Sequence, residues 1–133
     1  MKIRGDKAHK DRLARMRDPA VRRQISRGIF VAAQEVQTEA RLLIMAGSVS
    51  GKDHVASSPG EAPNNDTGFL AANIEATRTG ELSSQVESKA EYGAALEYGT
   101  SKMAARPYMA PALQRKRKRI LELTHGAVTA AIK

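Results

Sequence analysis

Apolar residues recur at spacings of three and four along one stretch of the chain: Val21, Ile25, Ile29, Ala32, Val36, Ala40 and Leu43. That period marks one face of a helix. Asp18 suits the cap position, and Pro19 suits the first helical position, where its missing N–H costs nothing. Gly47 supplies the stop. Gly28 interrupts the stretch at a cost of about 1 kcal/mol relative to alanine, without a proline-like break. A helix from Asp18 to Ala46 would run about 43 Å. A globule of this chain length is only about 36 Å across, so the helix protrudes or packs on a neighbouring subunit unless Gly28 kinks it.

The flanking pattern changes character. Residues 1–17 show little apolar periodicity beyond Leu13 and Met16 and read as a basic mobile arm or a frayed helical lead-in. Residues 47–68 are dominated by Ser, Gly, Pro, Asn and Asp and read as a long extended loop, a kind of segment that is usually functional or disordered. From Phe69 to Thr79 the pattern alternates, with Leu70, Ala72, Ile74 and Ala76 on one side of a strand. Gly80-Glu81 makes a turn, and Leu82, Ser84, Val86 and Ser88 continue with period two, so the pair predicts a hairpin with a thin apolar face. An alanine-rich helical turn over 90–97 ends at Gly99. A last helix begins near Pro107–Pro111, with Met109, Leu113, Ile120, Thr124, Val128 and Ile132 as its stripe.

These elements predict an α+β fold. A long N-terminal helix and a C-terminal helix pack on a small antiparallel sheet, with the 47–68 loop between the first helix and the sheet. A single domain over 18–133 follows the 1–17 arm, and no internal repeat is visible.

Charge sharpens this picture. The chain of 133 residues has a net charge of +8. Residues 1–27 hold ten Lys or Arg against three Asp or Glu, and residues 114–133 hold six against one. The middle, residues 28–113, holds six against ten. An acidic centre is thus bracketed by basic ends, and nucleic acid is the obvious electrostatic partner for them. Two solvated helix faces are the alternative reading. The run Arg115, Lys116, Arg117, Lys118, Arg119 winds 1.4 turns of helix, so two or three of its members face any one partner. Aromatics are 4% of the chain and none interleaves with this run, which argues against single-strand stacking and leaves non-specific backbone contact.

Chemistry finds little support. There is no cysteine, hence no disulfide framework, thiol nucleophile or thiolate zinc site. Gly47–Asp53 has three residues between its glycines and Asp where a phosphate-binding loop needs Ser or Thr. His9, His54 and His125 have no ligand-like spacing, and Ser57 and Ser58 lack a nucleophile-elbow context. Asn65-Asp66-Thr67 is formally a glycosylation acceptor but reads as a turn. The longest apolar runs, Ile29–Ala33 and Leu42–Ala46, are too short for a membrane span or a signal-peptide core. The expectation is a non-enzyme without cofactor or metal and without membrane contact.

Two segments carry a more specific signal: Ser58-Pro59-Gly60-Glu61-Ala62-Pro63 with Asp66-Thr67-Gly68-Phe69-Leu70, and Tyr92–Thr100 with Arg106–Leu113. Their order and spacing over 58–113 resemble the tailed-phage head–tail joining family, the small neck or tail-completion proteins of siphophages and prophages. Members carry a Pro-Gly-x-x-Pro loop, a Thr-Gly-x-Leu, a Tyr-Ala-x-x-x-Glu-x-Gly-Thr segment and an aromatic framed by prolines. This chain has Gly93 where Ala is commoner, and Tyr98 and Tyr108 where Phe is common.

The resemblance implies a structural virion protein, assembled in the host cytoplasm, that forms a homo-oligomeric ring, a hexamer, between head connector and tail. It places Pro59, Gly60, Pro63, Thr67, Tyr98, Gly99, Thr100, Arg106, Pro107 and Tyr108 at the subunit contact. The basic run at 115–119 then faces DNA transiently in the lumen. The three tyrosines either anchor the sheet to the last helix or serve that interface. Glu97 and Arg106 are candidates for a salt bridge, within a subunit or across the ring. A small basic protein binding nucleic acid without sequence specificity is the rival reading.

Overall fold

A computed structural model describes residues 5–46 and 69–132. Five helices and one hairpin follow in order: α1 (Asp6–Arg17), α2 (Pro19–Met45), α3 (Phe69–Ala72), β1 (Ile74–Gly80), β2 (Ser83–Ser88), α4 (Gly93–Tyr98) and α5 (Met109–Ile132). The long N- and C-terminal helices and the small antiparallel sheet are those expected. The expected loop over 47–68, with Gly47, His54 and the glycosylation-like triplet, lies outside the described residues.

The central element is α2. Asp18 accepts a hydrogen bond from the Ala20 N–H at 2.9 Å, and Pro19 follows at the helix start, as the sequence dictates. Its buried residues are Ile25, Ala32, Val36, Ala40 and Ile44. Ile44 continues the four-residue spacing where the apolar stripe pointed to Leu43. The helix passes through Gly28 without a break, because Gly28 serves packing. A Cβ there would overlap the Cβ of Ala127, so glycine lets α2 and α5 approach closely.

Asp6–Arg17 form a helix of their own, where a mobile arm or frayed helical lead-in was expected. A separate α1 packs on α2 and α5, with the Arg15 guanidinium donating to the Ile132 carbonyl at 2.9 Å. None of its residues is buried.

Phe69–Ala72 departs from the expected strand. It forms a helical turn that buries Leu70 and Ala71 and leaves Ala72 exposed, with the Asn73 side chain donating to the Phe69 carbonyl at 2.7 Å. Asn73 closes the turn through its own side chain, a local competitor to strand pairing. The strand proper begins at Ile74 and pairs antiparallel from Ile74↔Ser88 to Gly80↔Ser83, leaving Glu81-Leu82 as the turn. Arg41 and Gln37 of α2 fasten the start of the hairpin. Arg41 donates to the carbonyls of Ala71 (3.0 Å) and Ile74 (2.9 Å), and Gln37 donates to Ile74 (2.8 Å).

Most of the expected α5 stripe is half-buried (Met109, Ile120, Thr124, Val128 and Ile132), but the centre of the buried face falls on alanines beside it. Ala112 and Ala131 are buried while Leu113 is 52% exposed. Large residues dominate a hydrophobicity reading, yet a close helix crossing selects small ones. Ala112, Ala127 and Ala131 lie on the α2 side of α5 with Ile120 half-buried among them. The core joins Val36, Ala40 and Ile44 to Leu70, Ile74, Ala90, Tyr108 and Ala112. The hairpin and α5 each pack on α2 rather than on each other.

Candidate functional site

The segment Tyr92–Leu113 is organised by one carboxylate. Glu97, on α4, reaches the start of α5. Its Oε2 accepts from the backbone N–H of Tyr108 (2.8 Å) and Met109 (2.9 Å), and its Oε1 from that of Ala110 (2.9 Å). The first turn of a helix leaves its N–H groups without intrahelical partners and carries partial positive charge, so a carboxylate belongs there. Pro107 and Pro111 have no N–H to satisfy. The Pro-Tyr-Met-Ala-Pro sequence together with Glu97 therefore accounts for every donor at this helix end. Within the subunit, the pair expected between Glu97 and Arg106 is not formed. Arg106 instead donates its backbone N–H to the Leu96 carbonyl at 2.6 Å, and the Glu97 oxygens are occupied by α5. Glu97→Ala should lower stability by about 2 kcal/mol, since charge-assisted bonds to buried donors exceed neutral ones. Glu97→Gln should lose roughly half as much, because an amide oxygen still accepts. Equal urea midpoints for both variants and the parent would refute this role.

Gly99 closes α4 with φ 79° and ψ 173°, and its N–H donates to the Ala95 carbonyl at 2.8 Å. Thr100 and Met103 then exchange backbone hydrogen bonds at 2.8 and 3.3 Å, and the Thr100 hydroxyl accepts from the Lys102 N–H at 3.2 Å. This tight reversal returns the chain to α5.

The tyrosines divide between the two roles open to them. Tyr108 is 1% exposed and donates its hydroxyl to the Gly93 carbonyl at 3.1 Å. It is a core anchor, so its placement at a subunit contact is corrected. Burial pushes the Tyr108 phenol up, keeping it protonated and donating. Tyr98 is 83% exposed, and Tyr92 lies against Phe69 with ring centroids 6.0 Å apart. Gly93 now has a physical reason: a Cβ there would crowd the Ser88 side chain, whose Oγ would lie 2.5 Å away, and the Tyr108 hydroxyl at 2.9 Å. Gly93→Ala alone should cost about 1–3 kcal/mol through overpacking. Adding Tyr108→Phe should recover part of that loss. Strict additivity in a double-mutant cycle of thermal melts would contradict the coupling.

The basic run is mostly neutralised by the protein itself. Arg115 pairs with Glu39 (3.2 Å), Lys116 with Glu35 (3.5 Å) and Glu39 (3.9 Å), and Arg119 with Glu122 (3.6 Å). Among the described residues, Arg117 and Lys118 are the two members of the run without an ion pair. Pro59, Gly60, Pro63 and Thr67 lie outside the described residues. His9 and His125 stand on α1 and α5, and no group of three potential metal ligands occurs among the described residues.

One feature had no signal in the sequence. An open apolar trough of about 670 Å³ lies between the hairpin and α5, both of which pack on α2. Ile29, Ala33 and Val36 form its floor, Val86 one wall, and Tyr98 and Leu113 the other. Only the arrangement of three elements in space creates it. The exposed Leu113 and Tyr98 were its visible trace.

The sequence profile described as "HK97-gp10_like: Bacteriophage HK97-gp10, putative tail-component" matches residues 7–99, more than two thirds of the chain. The chain belongs to this family of structural phage tail components. Its place is accordingly in the phage virion, among other virion proteins. The match includes the Tyr92–Gly99 segment that carried the resemblance, and extends it forward through α1 and α2. Neither the curated proteins nor the solved structures contain a match to the chain. No helix among the described residues is long and apolar enough to cross a membrane.

Proposed function

We propose that this chain is a ring-forming component of the phage neck or tail end that joins the head connector to the tail. Membership of a tail-component family carries the reading. The shape of the subunit supports it. A helix of 27 residues, about 40 Å long, spans a small domain, and an apolar trough that no described element fills lies beside it. A head-to-tail ring joins two different patches of one molecule and closes when the rotation closes. Tyr98, which lines the trough, serves that contact, with Thr100, Arg106, Pro59, Gly60, Pro63 and Thr67 assigned to it on the resemblance alone. Six-fold closure follows the symmetry that the resemblance implies, with assembly in the host cytoplasm.

The rival nucleic-acid reading loses support because Arg115, Lys116 and Arg119 are engaged with glutamates. Light scattering, with and without the genomic neighbours, and duplex binding across a salt series separate the two. Rings with negligible DNA affinity at physiological salt are the expected result. A persistent monomer that binds duplex with a steep salt dependence would reject the ring in favour of the rival.

A further inference from the structure

We infer that Arg23 and Arg27 of α2 and Arg78 of β1 form a strip that contacts the phosphate backbone of duplex DNA, the role expected of the 115–119 run. The chemistry of the strip needs no ring. Its place in the virion rests on the ring reading, in which this side of each subunit lines the channel. Arg23 and Arg27 lie one turn apart and about 160° round α2 from the buried Ile25, so they stand opposite the core. Both are exposed. Phe30 falls within about 60° of them around the same helix, and the Arg78 guanidinium lies over its ring, 5.0 Å from the centroid. The fold thus brings a third arginine from the hairpin to the two of the helix, within about 10 Å along α2.

Carboxylates are scarce on this surface. The exposed residues of α2 from Ala20 to Gln34 are Ala20, Arg23, Gln24, Arg27, Val31 and Gln34. The first acid of that helix is Glu35, which pairs with Lys116 on the α5 side. On β1, Arg78 shares a face with Ile74 and Ala76, and Glu75 takes the other. Glu81 at the hairpin turn is engaged by Arg22 at 2.9 Å. Among the described residues, Arg23, Arg27 and Arg78 have no ion pair, whereas three members of the 115–119 run do. Guanidinium groups present planar forks of N–H donors that match phosphate oxygens. Stacking on Phe30 holds Arg78 by its face and leaves its N–H edge open. A protein interface centres on apolar anchors with charges at the rim; here the one aromatic ring is covered by a guanidinium, and polar residues surround it. With no free ring to stack a base, the contact is to the backbone and reads no sequence. Three such contacts give a slope of about −2.7 in log K against log salt, so the affinity fades towards physiological salt. That suits a surface past which DNA slides.

Fluorescence anisotropy of a labelled short duplex, titrated with the full chain across a series of low salt concentrations, tests the strip. Arg23→Gln, Arg27→Gln and Arg78→Gln combined should weaken binding at least tenfold at the lowest salt and flatten the slope by about 2.7. Arg117→Gln with Lys118→Gln should leave both affinity and slope close to the parent. The corresponding triple lysine variant keeps the charges and should keep the slope, an outcome that a merely structural role would not produce. Should the glutamine triple fail to fold, Arg23→Gln with Arg27→Gln leaves the Arg78–Phe30 stack in place and should still flatten the slope by about 1.8. An unchanged slope in a folded glutamine variant, or an equal loss in the Arg117 and Lys118 variant, would overturn the strip. Poly-glutamate that displaces the duplex as well as unlabelled duplex of equal charge would assign the arginines to an acidic protein surface and overturn the phosphate contact. Rings should assemble normally from the folded glutamine triple, and their loss would place the strip at a subunit contact instead. A chain that stays monomeric at every concentration and with its genomic neighbours, yet shows these slopes, would overturn the ring and leave the strip standing.

Discussion

Replacing Gly99 by valine is expected to lower stability by about 3–5 kcal/mol, through backbone strain and overpacking together. With φ 79° and ψ 173°, Gly99 occupies a region that is essentially closed to residues with a Cβ. Its surroundings are also unyielding. An added Cβ would lie 2.8 Å from the Ala105 nitrogen, 3.0 Å from the Met103 oxygen and 3.2 Å from the Ala105 Cα. All three are backbone atoms, so no rotamer change relieves them. The turn they define sets the span between Glu97 and the α5 N-terminus, and moving it pulls the carboxylate off its donors. Small domains have a total stability of only about 5–15 kcal/mol. Urea denaturation should show either a midpoint displaced by a large fraction of its parental value or an insoluble product. A Gly99→Val protein with the parental midpoint would refute the strained turn.

Gly28→Val is expected to cost about 3 kcal/mol, at the upper end of overpacking losses. Propensity predicts the opposite sign, since glycine inside a helix is worse than alanine by about 1 kcal/mol. Packing decides against propensity here. The added Cβ would overlap that of Ala127, and the Leu123 carbonyl and Ala127 Cα stand 3.6 and 3.7 Å away. α2 and α5 form the main interface of the fold, so any displacement spreads through the core. Gly28→Ala should already be destabilising, and Ala127→Gly should suppress it by removing the overlapping methyl. Stabilisation by Gly28→Ala would mean that the crossing has room to spare.

Gly28 also illustrates what the amino-acid sequence could disclose. Asp18 and Pro19 fixed the start of α2 correctly because a cap and a proline at the first turn act locally. The four-residue spacing of Ile25, Val36 and Ala40 likewise marked the buried face. The α5 stripe marked the inner side but missed the centre of the buried face, because that surface is made of alanines, which carry little hydrophobic signal. Leu113, the residue that signal favours, is left at the trough instead. Phe69–Ala72 was legible only as apolar, since a four-residue run satisfies either period. Glu97 was noticed as a charge, but its partners are backbone groups eleven to thirteen residues away, and no side-chain pattern announces those. Tyr98 and Tyr108 look alike in sequence, and only the fold separates a core anchor from a surface ring.

The order in which the chain is made adds a kinetic dimension to the α2–α5 pairing. Gly28 must meet Ala127, and Arg15 must meet Ile132, 117 positions later. Loop closure over such separations is entropically costly, and chains dominated by distant pairings fold slowly. The apolar side of α2 is synthesised first and stays uncovered until α5 follows. During that interval Ile25, Ala32 and Val36 are open to any other nascent copy. Low growth temperature, which weakens hydrophobic association between the uncovered faces, should therefore raise the soluble yield of this protein.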